Sequence, residues 1–242
     1  LDDLDYRFPE YPLPPGESQS GHLRALTWRG ARKRYGHPLP PRVRAQLEHE
    51  LALIEKLDLC GYFLIVHDIG VFARRQQMLV QGRGSAANSA VCYALGITAV
   101  DPVGMELLFE RFLSEERGEW PDIDLDLPSG EPREKVIQYV FDKYGEHGAA
   151  MTANVITYRT RMAVREMGKV LGHPPETIDR MAKLLSHLDH REDLDTLGAS
   201  LRRGGIDPGA PHMQHWLDLV QRIQGLPRHL GQHSGGIVIA AG

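Results

Sequence analysis

The sequence predicts an α+β fold, in which a mixed sheet packs with helices and a helical lobe is inserted between the sheet-forming segments. Residues 121–127 alternate aspartate with branched aliphatic side chains, which is the two-residue period of a strand with one apolar face. Residues 237–240 form an apolar run of strand length. Apolar residues at helical spacing predict helices elsewhere. Most of the helices predicted after Met151 follow one another in one continuous region of the sequence.

The composition excludes several classes of protein. A hydrophobic content of 42%, a charged content of 25% and a net charge of -4 over 242 residues are ordinary for a globular protein and give no overall basic field. Cys60 and Cys92 have neither disulfide nor zinc-ligand spacing and are predicted core residues. Since the sequence has no signal peptide and no apolar run near ~20 residues, we expect a cytoplasmic protein without a membrane partner. The start at Leu1 leads us to expect a piece of a longer polypeptide.

The chain begins with a polar segment followed by a basic run. Residues 1–20 are rich in proline, glycine and acidic side chains and are predicted to be a linker. No acidic residue occurs between Ser18 and Leu47. Seven basic residues occur there: Arg24, Arg29, Arg32, Lys33, Arg34, Arg42 and Arg44. Such a run is either a solvated helix face or a surface that contacts phosphate groups.

Two helices are predicted next. Pro41 suits a first helical turn, and apolar residues follow it at helical spacing as far as Leu57. Residues 62–73 are apolar without alternation and are predicted to form a buried helix. His67 in this helix is predicted to be a hydrogen-bonded core residue rather than a metal ligand.

A glycine-rich turn follows at residues 82–85, with the sequence Gly-Arg-Gly-Ser. A short strand at 78–81 is predicted to lead into it, Ser85 to cap a helix, and Gly96 to end that helix. Free N–H groups at the helix start and the guanidinium of Arg83 would suit phosphate oxygens. Glycine turns also serve tight packing alone, and this one matches neither the Walker nor the Rossmann pattern.

The strand at 121–127 carries Asp122, Asp124 and Asp126 on one face, with neighbours about 6–7 Å apart. Three like charges in a row repel one another, and a divalent cation would relieve the repulsion because carboxylates are hard oxygen ligands for Mg²⁺. The alternative is a charged strand face turned to water. Arg111 and Arg117 lie in the same acidic region, where they could balance the carboxylates or bind an anionic substrate.

The rest of the sequence predicts helices and one buried strand. Residues 132–144 are predicted as a helix that Gly145 ends, and three further helices are predicted at 160–171, 175–185 and 213–223. Residues 186–211 are predicted to be a loop, and 237–240 a buried strand. A phosphate-binding turn upstream of Asp-x-Asp is the arrangement of the polymerase-beta-like nucleotidyltransferase palm, in which carboxylates bind two Mg²⁺ ions.

Four motifs in this order resemble one family over essentially the whole chain: residues 81–85, 109–113, 121–126 and 233–239. They are similar to the C-family bacterial replicative polymerases, the DNA polymerase III alpha subunits. The sequence 82–89, together with 158–161 and 228–230, is most similar to their error-prone branch. The resemblance implies a palm at 1–152, a helical thumb at 153–227 and a return to the palm at 228–242. It also implies DNA synthesis in repair, with primer-template DNA, dNTPs, further polymerase domains and other replication or repair proteins as partners.

The resemblance also assigns roles to residues. Asp122 and Asp124 match two catalytic Mg²⁺ ligands, and Asp126 matches a nearby acidic position. Arg83, Gly84, Ser85 and Arg111 match positions beside the incoming triphosphate. The third catalytic aspartate of the family would lie beyond Gly242, so the two-metal site is expected to be incomplete in this chain and the fragment to be inactive.

Four basic residues of the predicted thumb are candidates for duplex contacts, with a solvated helix face as the alternative: Arg159, Arg161, Arg165 and Lys169. Two other functions remain open from the sequence. A metal-dependent phosphoesterase or nuclease could use the same carboxylates without nucleoside triphosphates. A non-catalytic DNA-binding module would depend on the basic residues alone, with an affinity that falls steeply with salt.

Overall fold

Nine α-helices and four strands make up the regular structure of residues 9–114, 121–185 and 194–240, the parts of the chain that this computed structural model describes. The helices are α1 (Gln19–Tyr35), α2 (Pro41–Lys56), α3 (Cys60–Arg75), α4 (Ala90–Ala94), α5 (Glu131–Gly148), α6 (Thr160–Val170), α7 (Pro175–Leu184), α8 (Leu194–Arg203) and α9 (Pro211–Ile223). The strands are β1 (Gln81–Arg83), β2 (Asp124–Asp126), β3 (Ala149–Thr157) and β4 (Pro227–Ile239). None of the described helices combines the length and the apolar character needed to cross a membrane.

Two compact units divide the chain. The first holds the described residues up to Met151 together with those from Gly235 onward, and the second holds Thr152–Ser234. Strands β1 and β2 form one two-stranded sheet, and β3 and β4 form another. The chain passes between the units within β3 and again within β4. Palm and thumb remain predictions for these two units.

The core of the first unit is helical. The apolar face of α2 is buried through Val43, Leu47, Leu51 and Ile54, and it shares a core cluster with residues of α1, α3 and α4. Both predicted helices at 41–57 and 62–73 are therefore confirmed, as are the buried positions of the two cysteines. The His67 imidazole Nδ1 lies 3.0 Å from the Leu95 carbonyl oxygen, so the predicted hydrogen bond is confirmed, although the side chain is only half-buried. Burial lowers the His67 pKa, and the hydrogen bond opposes this shift.

Helices α1 and α4 approach each other at Gly30. A Cβ atom added there would lie 1.9 Å from the carbonyl oxygen of Ala94, so only glycine fits this crossing.

We expect Gly30→Ala to lower the free energy of unfolding by about 1–3 kcal/mol or more, because α1 must move away from α4. Urea denaturation measures the loss. Gly235→Ala is the matched control, since within the described residues no atom other than those of its chain neighbours lies within 4 Å of its Cβ position. An equal loss in both variants would contradict the steric explanation.

The second unit has its own core, built by α6, α7 and α9. Trp216 of α9 is fully buried, and its indole N–H donates to the Val164 carbonyl of α6 at 3.1 Å. The predicted helices at 160–171, 175–185 and 213–223 are confirmed. The predicted loop at 186–211 is wrong where α8 forms, because its serine, threonine and glycine residues hid a helical stripe. Residues 186–193 of that loop lie outside the described residues.

The strands differ from the prediction more than the helices do. Strand β1 begins at Gln81 rather than at 78, and β3 was not predicted at all. The predicted strand at 237–240 is confirmed as the end of β4, which begins at Pro227. Its predicted burial is wrong, because residues 237–240 are half-buried or exposed and most of β4 is exposed. In the described residues β4 pairs with β3 alone, and a two-stranded sheet leaves most of each strand open to water. The predicted helix at 132–144 is confirmed as α5, which Gly145 interrupts with a φ of 74°.

Of the predicted linker at 1–20, residues 1–8 lie outside the described residues. The remainder runs without regular structure to Ser18, whose side chain accepts a hydrogen bond from the Gly21 N–H and caps α1. Helix α1 then carries most of the basic run. Its arginine and lysine side chains therefore lie on a helix of the first unit.

Candidate active site

Strands β1 and β2 bring the glycine-rich turn next to the aspartate strand. They pair antiparallel, with Gln81 opposite Asp126, Gly82 opposite Leu125 and Arg83 opposite Asp124. The following residue, Gly84, has a φ of 68°, and a Cβ atom there would lie 4.0 Å from Asp124 Oδ2. A positive φ favours glycine because it has no Cβ to clash with the backbone. Two motifs about forty residues apart in sequence thus share one surface.

The aspartates face away from the core, as the alternation predicts. Asp122 and Asp124 are exposed, while Ile123 between them is half-buried and packs against the helical core. The Ile123 N–H donates to the Tyr62 hydroxyl oxygen of α3 at 3.0 Å. Burial raises the pKa of Tyr62, which keeps this phenol neutral. The apolar face is confirmed, although strand pairing begins only at Asp124, so Asp122 precedes the strand.

Arg83 is the counter-ion of the aspartate face in the described residues. Its Nε lies 3.0 Å from Asp126 Oδ1, and its Nη2 lies 3.7 Å from Asp124 Oδ2. The side chains of both pairs are at least half exposed, and such pairs contribute little to stability. These ion pairs instead matter for geometry, because they hold the Arg83 guanidinium group beside the carboxylates. Asp126, expected to be a supporting acid, makes the shorter of these contacts.

Gly82 fixes β1 against the loop after α4. Its N–H donates to the Ile97 carbonyl oxygen at 2.6 Å, and a Cβ atom would lie 2.8 Å from Ile97 Cγ2. A larger residue would push the strand outward and shift Arg83 with it. The two glycines of the turn therefore have different roles, since Gly82 permits close packing and Gly84 permits the backbone conformation.

The start of α4 differs from the prediction. Residues Gly84–Asn88 form a 3-10 turn, and Ser89 rather than Ser85 caps α4, by accepting a hydrogen bond from the Cys92 N–H at 3.1 Å. Ser85 lies in the 3-10 turn with its carbonyl oxygen bound by the Asn88 side chain at 2.9 Å. The sequence offers two serines that suit a cap, and the tight turn between them selects the second. The prediction that Ser85 caps the helix is wrong.

A buried glutamate accepts hydrogen bonds from the N–H groups that were expected to bind phosphate. Glu50 of α2 accepts hydrogen bonds from the Ala90 N–H at 2.9 Å, the Val91 N–H at 3.0 Å and the Ser89 hydroxyl at 2.7 Å. Its carboxylate is fully buried, and burial raises the Glu50 pKa although these hydrogen bonds favour the charged form. The start of α4 therefore has no free N–H at these two positions for a ligand.

Glu50 was missed in the sequence although a signal was present. It lies on the apolar stripe of α2, three residues after Leu47 and four before Ile54. A charged side chain on such a stripe is buried, and a buried carboxylate requires partners. The partners themselves come from α4, forty residues away in sequence, so only the structure identifies them.

Arg111 lies in a second 3-10 turn, Phe109–Arg111, which packs beside the turn Gly84–Asn88. Phe109 in this turn and Phe112 just after it are buried, with ring centroids 6.2 Å apart. Arg111, which precedes Phe112 in the sequence, is exposed. The structure therefore brings the segment of Arg111 close to the predicted triphosphate position. Arg117, the other predicted cation, lies outside the described residues.

The four predicted DNA contacts lie in the second unit, around α6. Arg159, Arg161 and Lys169 are exposed. Arg165 is half-buried, and its Nη1 lies 2.5 Å from Asp179 Oδ1 of α7, so it joins two helices. Lys169 Nζ lies 3.2 Å from Glu166 Oε1 on the same helix. Two of these cations thus have carboxylate partners, while Arg159 and Arg161 do not within the described residues.

The donor chemistry of the aspartate face fits Mg²⁺. Protein sites usually hold this ion through one or two carboxylates, with water and substrate phosphates completing the shell. Asp122 and Asp124 are exposed carboxylates beside the turn, and the ion pairs of Arg83 show that this surface already holds positive charge. Among the described residues no group of three or more His, Cys, Asp or Glu side chains forms a ready metal cage.

Comparison with known proteins relates the chain to one family. The family described as "Bacterial DNA polymerase III alpha NTPase domain" matches residues 21–242. A protein of Dechloromonas aromatica named "Error-prone DNA polymerase" is 50% identical over the whole chain, which covers 23% of that protein. Proteins of the same name from Burkholderia mallei (49% identical over the whole chain, 22% of that protein) and Mycolicibacterium paratuberculosis (52% over 96% of the chain, 20% of that protein) are also similar. The chain thus spans about a fifth to a quarter of these relatives.

Proposed function

The chain belongs to the bacterial DNA polymerase III alpha family, and from this premise we propose that it forms part of a template-directed, error-prone DNA polymerase. The reaction is nucleotidyl transfer from a dNTP to a primer 3′-hydroxyl. The sequence resemblance to this family is confirmed. Activity, substrates and partners are proposed, since the chain spans only a part of the relatives that carry the name.

The register of β1 and β2 is the observation that carries this proposal. It sets Arg83 opposite Asp124 and Gly84 beside the Asp124 carboxylate. A triphosphate bound by the Arg83-Gly84-Ser85 turn would therefore lie next to the carboxylates that bind metal. Phosphoryl-transfer sites require this combination, because catalysis depends on positioning and on neutralising the charge of the transferred group.

Each residue of the face then has a role. Asp122 and Asp124 would bind the metal, and Arg83, Ser85 and Arg111 would hold phosphate oxygens. Two Mg²⁺ ions, when bound, would supply charge neutralisation and activate the attacking hydroxyl. Tyr62 and the core contacts of Ile123 fix the spacing of the two aspartates.

We propose further that the first unit is the palm and the second the helical thumb. The support is that the helices of the second unit lie in sequence between β3 and β4, as an insertion between two parts of the first unit. Arg159, Arg161, Arg165 and Lys169 would contact the DNA duplex. The ion pair of Arg165 with Asp179 makes it the least available of the four.

Primer extension tests the proposed function. The intact polypeptide that carries this chain is mixed with a labelled primer-template, Mg²⁺ and single dNTPs. We expect the primer to lengthen fastest with the dNTP that the template specifies, and more slowly with mismatched dNTPs. The 242-residue chain alone is expected to be inactive, because the resemblance places a third metal ligand outside it.

Two results would contradict the proposal. Shortening of the DNA without dNTPs, and no extension with them, would indicate a metal-dependent nuclease that uses the same carboxylates. Salt-sensitive DNA binding with neither extension nor cleavage would indicate a DNA-binding module.

A further inference from the structure

A groove lies in the first unit between α1, α3 and the end of α4, and it shares no lining residue with the aspartate face. Its volume is about 610 Å³. The charged side chains that line it are Arg29, Lys33 and Arg34 of α1 and Arg74 of α3. His67 is the other titratable group, and no carboxylate lines the groove in the described part of the chain.

These four cations differ from others in the same unit. Arg24 pairs with Glu48, and Arg42 Nη1 lies 2.9 Å from Glu106 Oε1. Within the described residues, none of the four groove cations has a carboxylate within 4 Å. The absence of acidic residues between Ser18 and Leu47 contributes to this concentration of positive charge.

Two of the guanidinium groups are held in place by backbone carbonyls. Arg74 Nη1 donates to the Gly96 carbonyl oxygen at 2.9 Å, and Arg34 Nη2 donates to that of Thr98 at 3.3 Å. Both groups lie near the position that a Cβ on Gly96 would take, with Nη2 atoms at 3.7 Å for Arg34 and 3.8 Å for Arg74. Burial, and then the charge of Arg34, lower the pKa of Arg74. Like charges therefore converge here without a counter-ion among the described residues.

A structural role explains only part of this arrangement. Arg34 and Arg74 satisfy carbonyl oxygens after α4, where positive charge is favourable at a helix end. Each uses few of its five N–H donors in doing so. Arg29 and Lys33 make no hydrogen bond to any described side chain or carbonyl, so the structural role does not require them.

We propose that this groove is a second phosphate-binding site, separate from the Arg83-Gly84-Ser85 turn, and that its ligand is the phosphodiester backbone of a nucleic-acid strand. The proposal rests on the proposed function, which brings such a strand to the protein. Cations from two helices suit successive phosphates. A free nucleotide would require a surface for its base, and His67 is the only ring among the described residues that line the groove.

Equilibrium binding of a fluorescent single-stranded DNA oligonucleotide tests the proposal. The intact polypeptide is titrated without Mg²⁺ or dNTP at several salt concentrations. We expect the double variant Arg29→Gln with Lys33→Gln to bind more weakly, with a logarithmic salt slope reduced by about 0.7 for each phosphate that the variant no longer neutralises. The control is Arg32→Gln with Arg75→Gln, which removes two exposed charges from the same helices outside the groove.

A smaller slope in the groove variant and an unchanged slope in the control would support the proposal. Equal changes in both variants, or no change in either, would overturn it. Loss of dNTP binding by calorimetry, with oligonucleotide binding intact, would assign the groove to free triphosphate and would also overturn it.

The groove and the polymerase proposal can fail separately. The binding measurement needs no catalysis, so an enzyme that extends primers but whose groove variant binds DNA normally would refute only the groove. DNA binding that depends on the groove without any extension would refute only the polymerase.

Discussion

Replacing Asp124 by asparagine in the intact polypeptide is expected to reduce nucleotide incorporation by about a hundredfold to a thousandfold, as for the removal of one strong electrostatic interaction with a transition state. Asparagine keeps the size of the side chain but removes the negative charge that would bind Mg²⁺. We expect Asp122→Asn to have a similar effect. Single-turnover primer extension measures both rates, and thermal unfolding shows whether the fold is retained.

Variants of two other aspartates distinguish the loss of metal binding from a general effect of removing negative charge. Asp142→Asn removes a carboxylate of α5 that lies outside the aspartate face and should leave incorporation unchanged. Asp126→Asn removes charge from the same face as Asp124, and it frees Arg83 from its 3.0 Å contact, so a smaller loss is expected. Near-normal extension by Asp122→Asn or Asp124→Asn would remove the support for the assignment.

Replacing Glu50 by alanine is expected to lower the free energy of unfolding by about 3–5 kcal/mol, since it leaves several buried donors without an acceptor. The affected groups are the Ser89 hydroxyl and the N–H groups of Ala90 and Val91. We also expect weaker dNTP binding by the folded protein, because these groups directly follow the turn that contains Ser85. Urea denaturation and nucleotide titration measure the two effects.

Glu55→Ala is the matched control on the same helix, because Glu55 is exposed. It should change the free energy of unfolding by a few tenths of a kcal/mol at most. Glu50→Gln keeps one acceptor oxygen and should fall between the alanine variant and the parent. Equal stability of the Glu50 and Glu55 alanine variants would show that the buried hydrogen bonds contribute little.

The helices and the aspartate face were predictable because their signals are local. Val43, Leu47, Leu51 and Ile54 define one face of α2, and the alternation from Asp122 defines the exposed and half-buried sides of the strand. Each pattern reflects which side of an element meets water. The local sequence therefore contains the information that specifies the buried and exposed faces of these elements.

Contacts between distant segments were not predictable. The choice of Ser89 over Ser85 as the cap depends on a 3-10 turn and on Glu50, and the pairing of Arg83 with Asp126 depends on the strand register. Strand β3 was missed because its sequence, Ala-Ala-Met-Thr-Ala-Asn-Val-Ile-Thr, has little apolar alternation. Its partner β4 lies about eighty residues further along the chain.

The small size of the sheet formed by β1 and β2 has a consequence for the order of folding. An isolated pair of such short strands is marginally stable in water. Each strand is instead anchored to the helical core, β1 through the Ile97 carbonyl and the residues before β2 through the Tyr62 hydroxyl. We therefore expect the aspartate face to become ordered only after α3 and the loop following α4 are in place, as a late step in the folding of the first unit.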